Sequence, residues 1–119
     1  MKRSLIVYTC NSEKYIEKLL KSILEQIDET EEQLIIVDDL SKDNTVPLIV
    51  NTIGLNFVDE EHYKFYINNP VKGKKASIEM AKKIATGNFK FIVNKKRRIK
   101  LTWYSYQILK NYKQVICKS

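Results

Sequence analysis

Two short, mainly apolar runs, S-L-I-V-Y at 4–8 and L-I-I-V at 34–37, anchor the pattern of this chain. Each lacks polar/apolar alternation, as expected of a strand buried on both faces of a parallel sheet. Between them the period changes. Tyr15, Ile16, Leu19, Leu20, Ile23, Leu24 and Ile27 fall on one broad helical face, with Asn11 or Ser12 available as its N-cap. The polar segment Asp28 to Gln33 ends this helix and leads into the second strand. A helix is predicted from about Thr45 to Ile53, with Pro47 in its first turn, where a missing N–H costs little, and Gly54 as its C-cap. Residues 55–63 read as irregular. A third strand is predicted over Lys64 to Asn68, a turn over Asn69 to Gly73, and a helix over about 74–86. That helix carries Ala76, Met80 and Ile84 on one stripe, with Ala81 and Ala85 beside it and Gly87 capping its end. Phe89 to Val93 is the fourth strand. Thr102 can cap a last helix with Trp103, Tyr104, Ile108, Leu109 and Tyr112, and Gln114 to Cys117 is a short fifth strand.

The order β-α-β-α-β-α-β-α-β predicts a three-layer α/β/α fold, a mostly parallel sheet with helices on both faces and right-handed crossovers. The 119 residues, 44% of them hydrophobic, suit a single domain over 1–119 with a real core. No run approaches the ~20 apolar residues of a transmembrane helix. Met1-Lys2-Arg3 leads into too short an apolar run for a secretory signal. Cys10 and Cys117 have neither metal spacing nor a disulfide framework and read as free thiols. A cytoplasmic protein is expected.

The chemistry concentrates after the second strand. Asp38 and Asp39 follow the apolar run at once, and Ser41, Asp43, Asn44 and Thr45 then offer oxygens for a tight turn and a helix N-cap. In open α/β sheets ligands bind at the carboxyl edge, although the two acids could equally be solvated loop residues. With 21 Lys and Arg against 14 Asp and Glu, the net charge is +7. That excess favours an anionic ligand or partner: nucleotide phosphates, nucleic acid or an anionic membrane surface. It peaks in Lys95-Lys96-Arg97-Arg98-Ile99-Lys100, either a phosphate contact or a solvated basic loop. Asp59-Glu60-Glu61-His62 lacks metal-ligand spacing and reads as a solvated acidic loop. Trp103 and the tyrosines of the last helix fit a core face better than a base-stacking platform.

Several of these segments resemble the nucleotide-binding half of family 2 glycosyltransferases, which have the GT-A (Rossmann-like) fold. Residues 4–11, S-L-I-V-Y-T-C-N, are similar to the family's opening strand, which usually ends Pro-Thr-Tyr-Asn. Tyr15, Leu19, Ser22, Ile23, Leu24 and Gln26 fall on its Y…L..SI..Q helix pattern. The most specific match is V-D-D-L-S-K-D-N-T at 37–45, against the family's V-D-D-G-S-x-D-x-T. Ala85-Thr86-Gly87-Asn88-Phe89 looks like its A-x-G-x-Y entry to the fourth strand.

The resemblance implies a nucleotide or nucleotide-sugar ligand, a UDP-sugar first. Thr9, Cys10, Asn11, Asp38, Asp39 and Ser41 would be the nucleotide-binding residues. Asp38, or alternatively Asp39, would accept from the uracil N3–H, and Cys10 would stand where the family often has an aromatic. Asp43 and Thr45 would fix the turn and cap the helix. Departures shape the rest. Where the family carries its metal-binding D-x-D, this chain has Asn94-Lys95-Lys96, and Ile78-Glu79 replaces the usual Arg-Asn. Hard divalent cations need oxygen ligands, preferably carboxylates, so neither a Mn²⁺ or Mg²⁺ site nor any cofactor is expected. Lys74, Lys75, Asn94, Lys95, Lys96 and Arg97 become the phosphate-binding candidates. The chain stops near the fifth strand, with no counterpart of the family's acceptor half. A truncated relative is therefore expected, with no catalytic residue assigned and no sugar transfer of its own. A protein partner or a second copy could cover the missing half. The alternative is a polyanion-binding module or scaffold using residues 95–100, for RNA or an anionic membrane. Nucleic acid is disfavoured, because no RNP-type motif is present and the basic run lacks interleaved aromatics.

Overall fold

In the computed structural model five strands form one sheet in the order β3-β2-β1-β4-β5, with every pairing parallel. The structure describes residues 3–28, 30–54, 62–87, 89–93 and 114–116. The strands are β1 (Arg3–Thr9), β2 (Glu32–Asp38), β3 (Tyr63–Ile67), β4 (Phe89–Val93) and β5 (Gln114–Ile116), and the helices α1 (Ile16–Gln26), α2 (Thr45–Ile53) and α3 (Lys74–Ile84). The last predicted helix, the Asp59 to Glu61 cluster, Asn94 to Lys100 and Cys117 lie outside the described residues.

The strand order decides where the helices lie. From β1 the chain steps outward through β2 to β3, then returns to the far side of β1 as β4. With right-handed crossovers, that reversal sends α3 to the opposite face from α1 and α2. The core divides accordingly. Leu5, Val7, Leu34 and Ile36 pack with Ile16, Leu20 and Ile23 of α1 and Ile49 and Ile53 of α2. The alternate residues Ile6, Ile35 and Val37 pack against Ala81, with Ile78, Met80 and Ile84 beside it. This is the α/β/α sandwich expected from the unbroken apolar runs. The reversal point between β1 and β4 is where such sheets form their crevice, at the carboxyl ends of the strands.

Several boundaries and roles differ from the pattern reading. β2 begins at Glu32, inside the supposed loop, and Glu32 and Gln33 are fully buried. Both are satisfied from afar: Glu32 accepts from Arg3 Nε at 3.2 Å and Asp28 N at 2.6 Å, and Gln33 Oε1 from Ser4 Oγ at 3.0 Å and Thr86 N at 3.1 Å. The buried stripe of α3 is Ser77 and Ala81, while Ala76 is exposed. Gly54 ends α2 at φ 50°, as expected of a C-cap. Gly87 does not cap α3, which ends at Ile84 with Ala85 extended. It is instead the point where the chain touches β1: a Cβ there would lie 2.5 Å from the Arg3 carbonyl carbon and 2.6 Å from Ser4 N.

Candidate functional site

Three loops leave the carboxyl edge of the sheet, and they are tied to one another by side chains rather than by packing. The loop after β1 and the loop after β2 are joined by reciprocal bonds. Asn11 N donates to Ser41 Oγ at 2.8 Å and Lys42 N donates to Asn11 Oδ1 at 2.8 Å. Ser12 N donates to Thr45 Oγ1 at 2.7 Å, and Glu13 N to Asp43 Oδ2 at 3.2 Å. Asn11 and Leu40 both sit at positive φ, 51° and 55°, to bring these groups together. Leucine has no local polar contact to favour that conformation, so the backbone there is held by its surroundings.

These ties change the roles of the predicted caps. Ser12 Oγ accepts from Cys10 N and from the Tyr15 hydroxyl, not from a helix N–H. Its carbonyl takes the Ile16 amide instead, at 3.0 Å. Asp43 does serve the start of α2, accepting the Thr45 N–H at 2.9 Å.

Asp38 and Asp39 are adjacent and both buried, yet they serve different loops. Asp38 Oδ1 accepts from Thr9 Oγ1 at 2.7 Å and Ser41 Oγ at 2.6 Å, and its Oδ2 accepts from Ser41 N at 2.8 Å. It therefore holds the loop after β2 to the end of β1. Asp39 faces the loop after β3. Its Oδ1 accepts from Asn68 Nδ2 at 3.1 Å and Lys72 N at 2.9 Å, and its Oδ2 from the Tyr8 hydroxyl at 2.7 Å and Gly73 N at 3.0 Å. A carboxylate offers about four lone-pair sites. Among the described residues Asp39 takes four donors and Asp38 three. Burial pushes the Asp39 carboxyl up, but the Lys72 amide, Tyr8 hydroxyl, Asn68 amide and Gly73 amide outweigh it and hold it below the usual carboxylate range. The Tyr8 hydroxyl is pushed well above its ordinary value, by burial first and then by its bond to Asp39.

Of the predicted nucleotide-binding residues, the structure brings Thr9, Cys10, Asn11, Asp38, Asp39 and Ser41 to one edge. Thr9 is fully buried, its hydroxyl spent on Asp38 and its carbonyl on Asp39 N at 2.8 Å. Cys10 is exposed, its Sγ 3.9 Å from the Asp39 carbonyl. Lys74 and Lys75 open α3 at the same edge and are exposed. Asn94, Lys95, Lys96 and Arg97 lie outside the described residues. Pattern reading missed Tyr8, Asn68 and Ser77, although Ser77 left a trace as a polar residue four before Ala81 on the buried stripe. Asn68 Nδ2 donates to Ser77 Oγ at 2.8 Å, and that hydroxyl donates to the Gly73 carbonyl at 2.6 Å. Among the described residues no three His, Cys, Asp or Glu side chains cluster as metal ligands, and no helix is long and apolar enough to cross a membrane.

The comparisons with known proteins agree with this architecture. A 50-residue stretch, 41% of this chain, is 48% identical to poly(ribitol-phosphate) β-N-acetylglucosaminyltransferase TarS of Staphylococcus aureus. That stretch is 9% of the relative's length, so the chain matches only a small part of it. The structure of S. aureus TarS 1–349 in complex with UDP superposes with a TM-score of 0.71 at 29% identity, covering 91% of this chain and 32% of that one. The same fragment in complex with UDP-GlcNAc gives 0.60 at 30% identity, covering 80% and 26%. A mannosyltransferase from Pyrobaculum calidifontis, solved with GDP-Man and Mn²⁺, shares the fold at 22% identity and a TM-score of 0.63, over 75% of this chain and 26% of its own. The family model "Glycosyl transferase family 2" matches residues 4–95, and with the parallel GT-A sheet and the Asp38–Thr45 loop in place, this chain belongs to glycosyl transferase family 2.

Proposed function

We propose that the carboxyl edge of the sheet binds a nucleoside diphosphate or its sugar conjugate, with a UDP-sugar the first candidate. The observation that carries this reading is the convergence of the three exit loops on Asp38 and Asp39 at the edge where the sheet order reverses. The structural neighbours solved with UDP and UDP-GlcNAc support it. Of the two acids, Asp38 is the first candidate to accept from the uracil N3–H and Asp39 the alternative; among the described residues Asp38 takes three donors and Asp39 four. Asp38 is buried, so a base reaches it only if the 40–42 segment yields. Thr9, Cys10, Asn11 and Ser41 would surround the base.

The diphosphate end would be served by cations rather than by a metal. The residues that follow Val93 in the chain are Asn94-Lys95-Lys96, one neutral oxygen donor and two ammonium groups. Asp38 and Asp39 are already committed to protein donors. That donor set does not fit Mn²⁺ or Mg²⁺, which take carboxylate and water oxygens. Lys74, Lys75, Lys95, Lys96 and Arg97 are the groups to neutralise the phosphates by fixed positive charge. No residue is assigned as base or nucleophile, and the reading is nucleotide binding without sugar transfer by this chain, in the cytoplasm. A partner subunit or a second copy of this chain belongs to the same reading.

Thermal shift tests it directly. UDP and UDP-GlcNAc should raise the melting temperature, and GDP should do so less. A short RNA that stabilises the protein while UDP does not would replace this reading with polyanion binding through residues 95–100.

A further inference from the structure

We propose, resting on the nucleotide reading above, that Leu40 is a base-binding residue whose side chain supplies the apolar surface against which the face of the base lies. Leu40 sits at φ 55°. In that conformation the Cβ of an L-residue crowds the following carbonyl oxygen, whereas glycine adopts it freely. The neighbours of Leu40 impose it. Asp39 N donates to the Thr9 carbonyl at 2.8 Å, and on the other side Ser41 N and Oγ donate to Asp38 at 2.8 and 2.6 Å. The backbone of residue 40 is therefore fixed from both ends, whatever side chain it carries.

The leucine side chain does not serve the core. Leu40 is half-buried, yet among the described residues it packs with neither hydrophobic cluster of the sheet. Asn11, at φ 51° across the clasp, differs in kind: asparagine tolerates the left-handed region, and its side chain accepts the Lys42 N–H. A bulky residue held in a costly conformation, with no core packing to offset it, points to a role outside the fold. Its place says which role. Asp38 is fully buried and bonded to Ser41, so a base approaching the acids meets the 40–42 segment. Cys10 Sγ lies 3.9 Å from the Asp39 carbonyl, the peptide that leads into Leu40. The other groups at this edge, from Thr9, Asn11, Asp38, Asp39 and Ser41, are hydroxyls, an amide and carboxylates. They suit the polar rim of a base but not its π face, which binding sites cover with apolar or aromatic side chains.

Leu40→Gly separates this role from a structural one, because stability and affinity should move in opposite directions. Removing the side chain relieves the backbone by more than glycine's added freedom in the unfolded chain takes back, so the urea midpoint rises. The same change removes the surface under the base, so binding weakens. Calorimetry would compare uridine, UDP and inorganic pyrophosphate on wild type, Leu40→Gly and Leu40→Met. The expected pattern for Leu40→Gly is a loss of about threefold to tenfold for uridine and UDP alike, with no change for pyrophosphate. Leu40→Met keeps an apolar side chain of similar volume and should bind all three within about twofold of wild type.

Uridine bound equally well by wild type and Leu40→Gly would defeat this inference while leaving the nucleotide reading intact. So would a Leu40→Gly variant that fails to fold or has a lower midpoint, because Leu40 would then be a residue of the fold. Equal losses for uridine, UDP and pyrophosphate would overturn it too, since pyrophosphate has no base. A Leu40→Met variant as weak as Leu40→Gly would show that an apolar side chain is not what position 40 supplies. If wild type binds none of the three probes, the nucleotide reading itself fails and this inference falls with it.

Discussion

Gly87→Ala should cost about 2–4 kcal/mol, and the reason is backbone rather than side chain. The new methyl would sit 2.5 Å from the Arg3 carbonyl carbon, 2.6 Å from Ser4 N and 2.6 Å from Ser4 Oγ, where ordinary contact begins near 3.4 Å. A gap of that size does not close by rotating a side chain, because two of the three atoms belong to the main chain of β1. That strand is paired on both sides, with β2 and with β4, so moving it loosens two ladders. Overpacking of this kind costs about 1–3 kcal/mol. The Gly87 N–H bond to Ser4 Oγ, 2.9 Å and buried, is strained or lost as well, adding about 0.5–1.5 kcal/mol. Urea denaturation reads the sum as a lower midpoint with an unchanged slope. Adding Ser4→Gly to Gly87→Ala removes the Oγ contact but leaves both backbone contacts, so it should not restore stability. A variant within about 0.5 kcal/mol of wild type, or rescue by Ser4→Gly, would refute the reasoning, since surface glycines change little.

Other consequences follow from the site. The Asp39 carboxyl is held below its ordinary value, so its charge stabilises the fold at pH above the unfolded value of about 3.9. That contribution disappears as pH falls through the lower folded value, and urea midpoints between pH 6 and 3 should fall less steeply for Asp39→Asn than for wild type. At Leu40, φ 55°, Leu40→Asn should be more stable than Leu40→Val by about 1 kcal/mol in thermal unfolding, because asparagine tolerates the left-handed region and a β-branched residue does not. Incubation with UDP-GlcNAc should give sugar release at background, with or without Mn²⁺; metal-stimulated turnover would show that a catalytic site had been overlooked.

The layers were legible because they rest on local signals. Leu5 to Val7 and Leu34 to Val37 are apolar on both sides, so a doubly covered parallel sheet follows from them alone. The apolar face of α1 and its two flanking residues, Tyr15 and Ile27, needed only their spacing. What escaped was everything satisfied at long range. Glu32 and Gln33 look like loop residues until Arg3, Ser4 and Thr86 are brought beside them. Gly87 follows a helix and invites a cap assignment, whereas its constraint comes from β1, more than 80 residues earlier. The pair Asp38-Asp39 announced a site by type and position, but not that the two acids divide between two loops. That division depends on Tyr8, Asn68 and the Lys72-Gly73 amides, which only the fold assembles.

We propose that this edge holds a nucleoside diphosphate by fixed protein charges and not by a divalent ion. Calorimetric titration of UDP, once with excess EDTA and once with Mn²⁺, tests it most directly. The expected result is a saturable site with the same affinity in both, weakening as salt rises because the contacts are charged, and no saturable heat when Mn²⁺ is titrated alone. UDP binding that appears only with Mn²⁺, or a tight Mn²⁺ site in the apo protein, would contradict it.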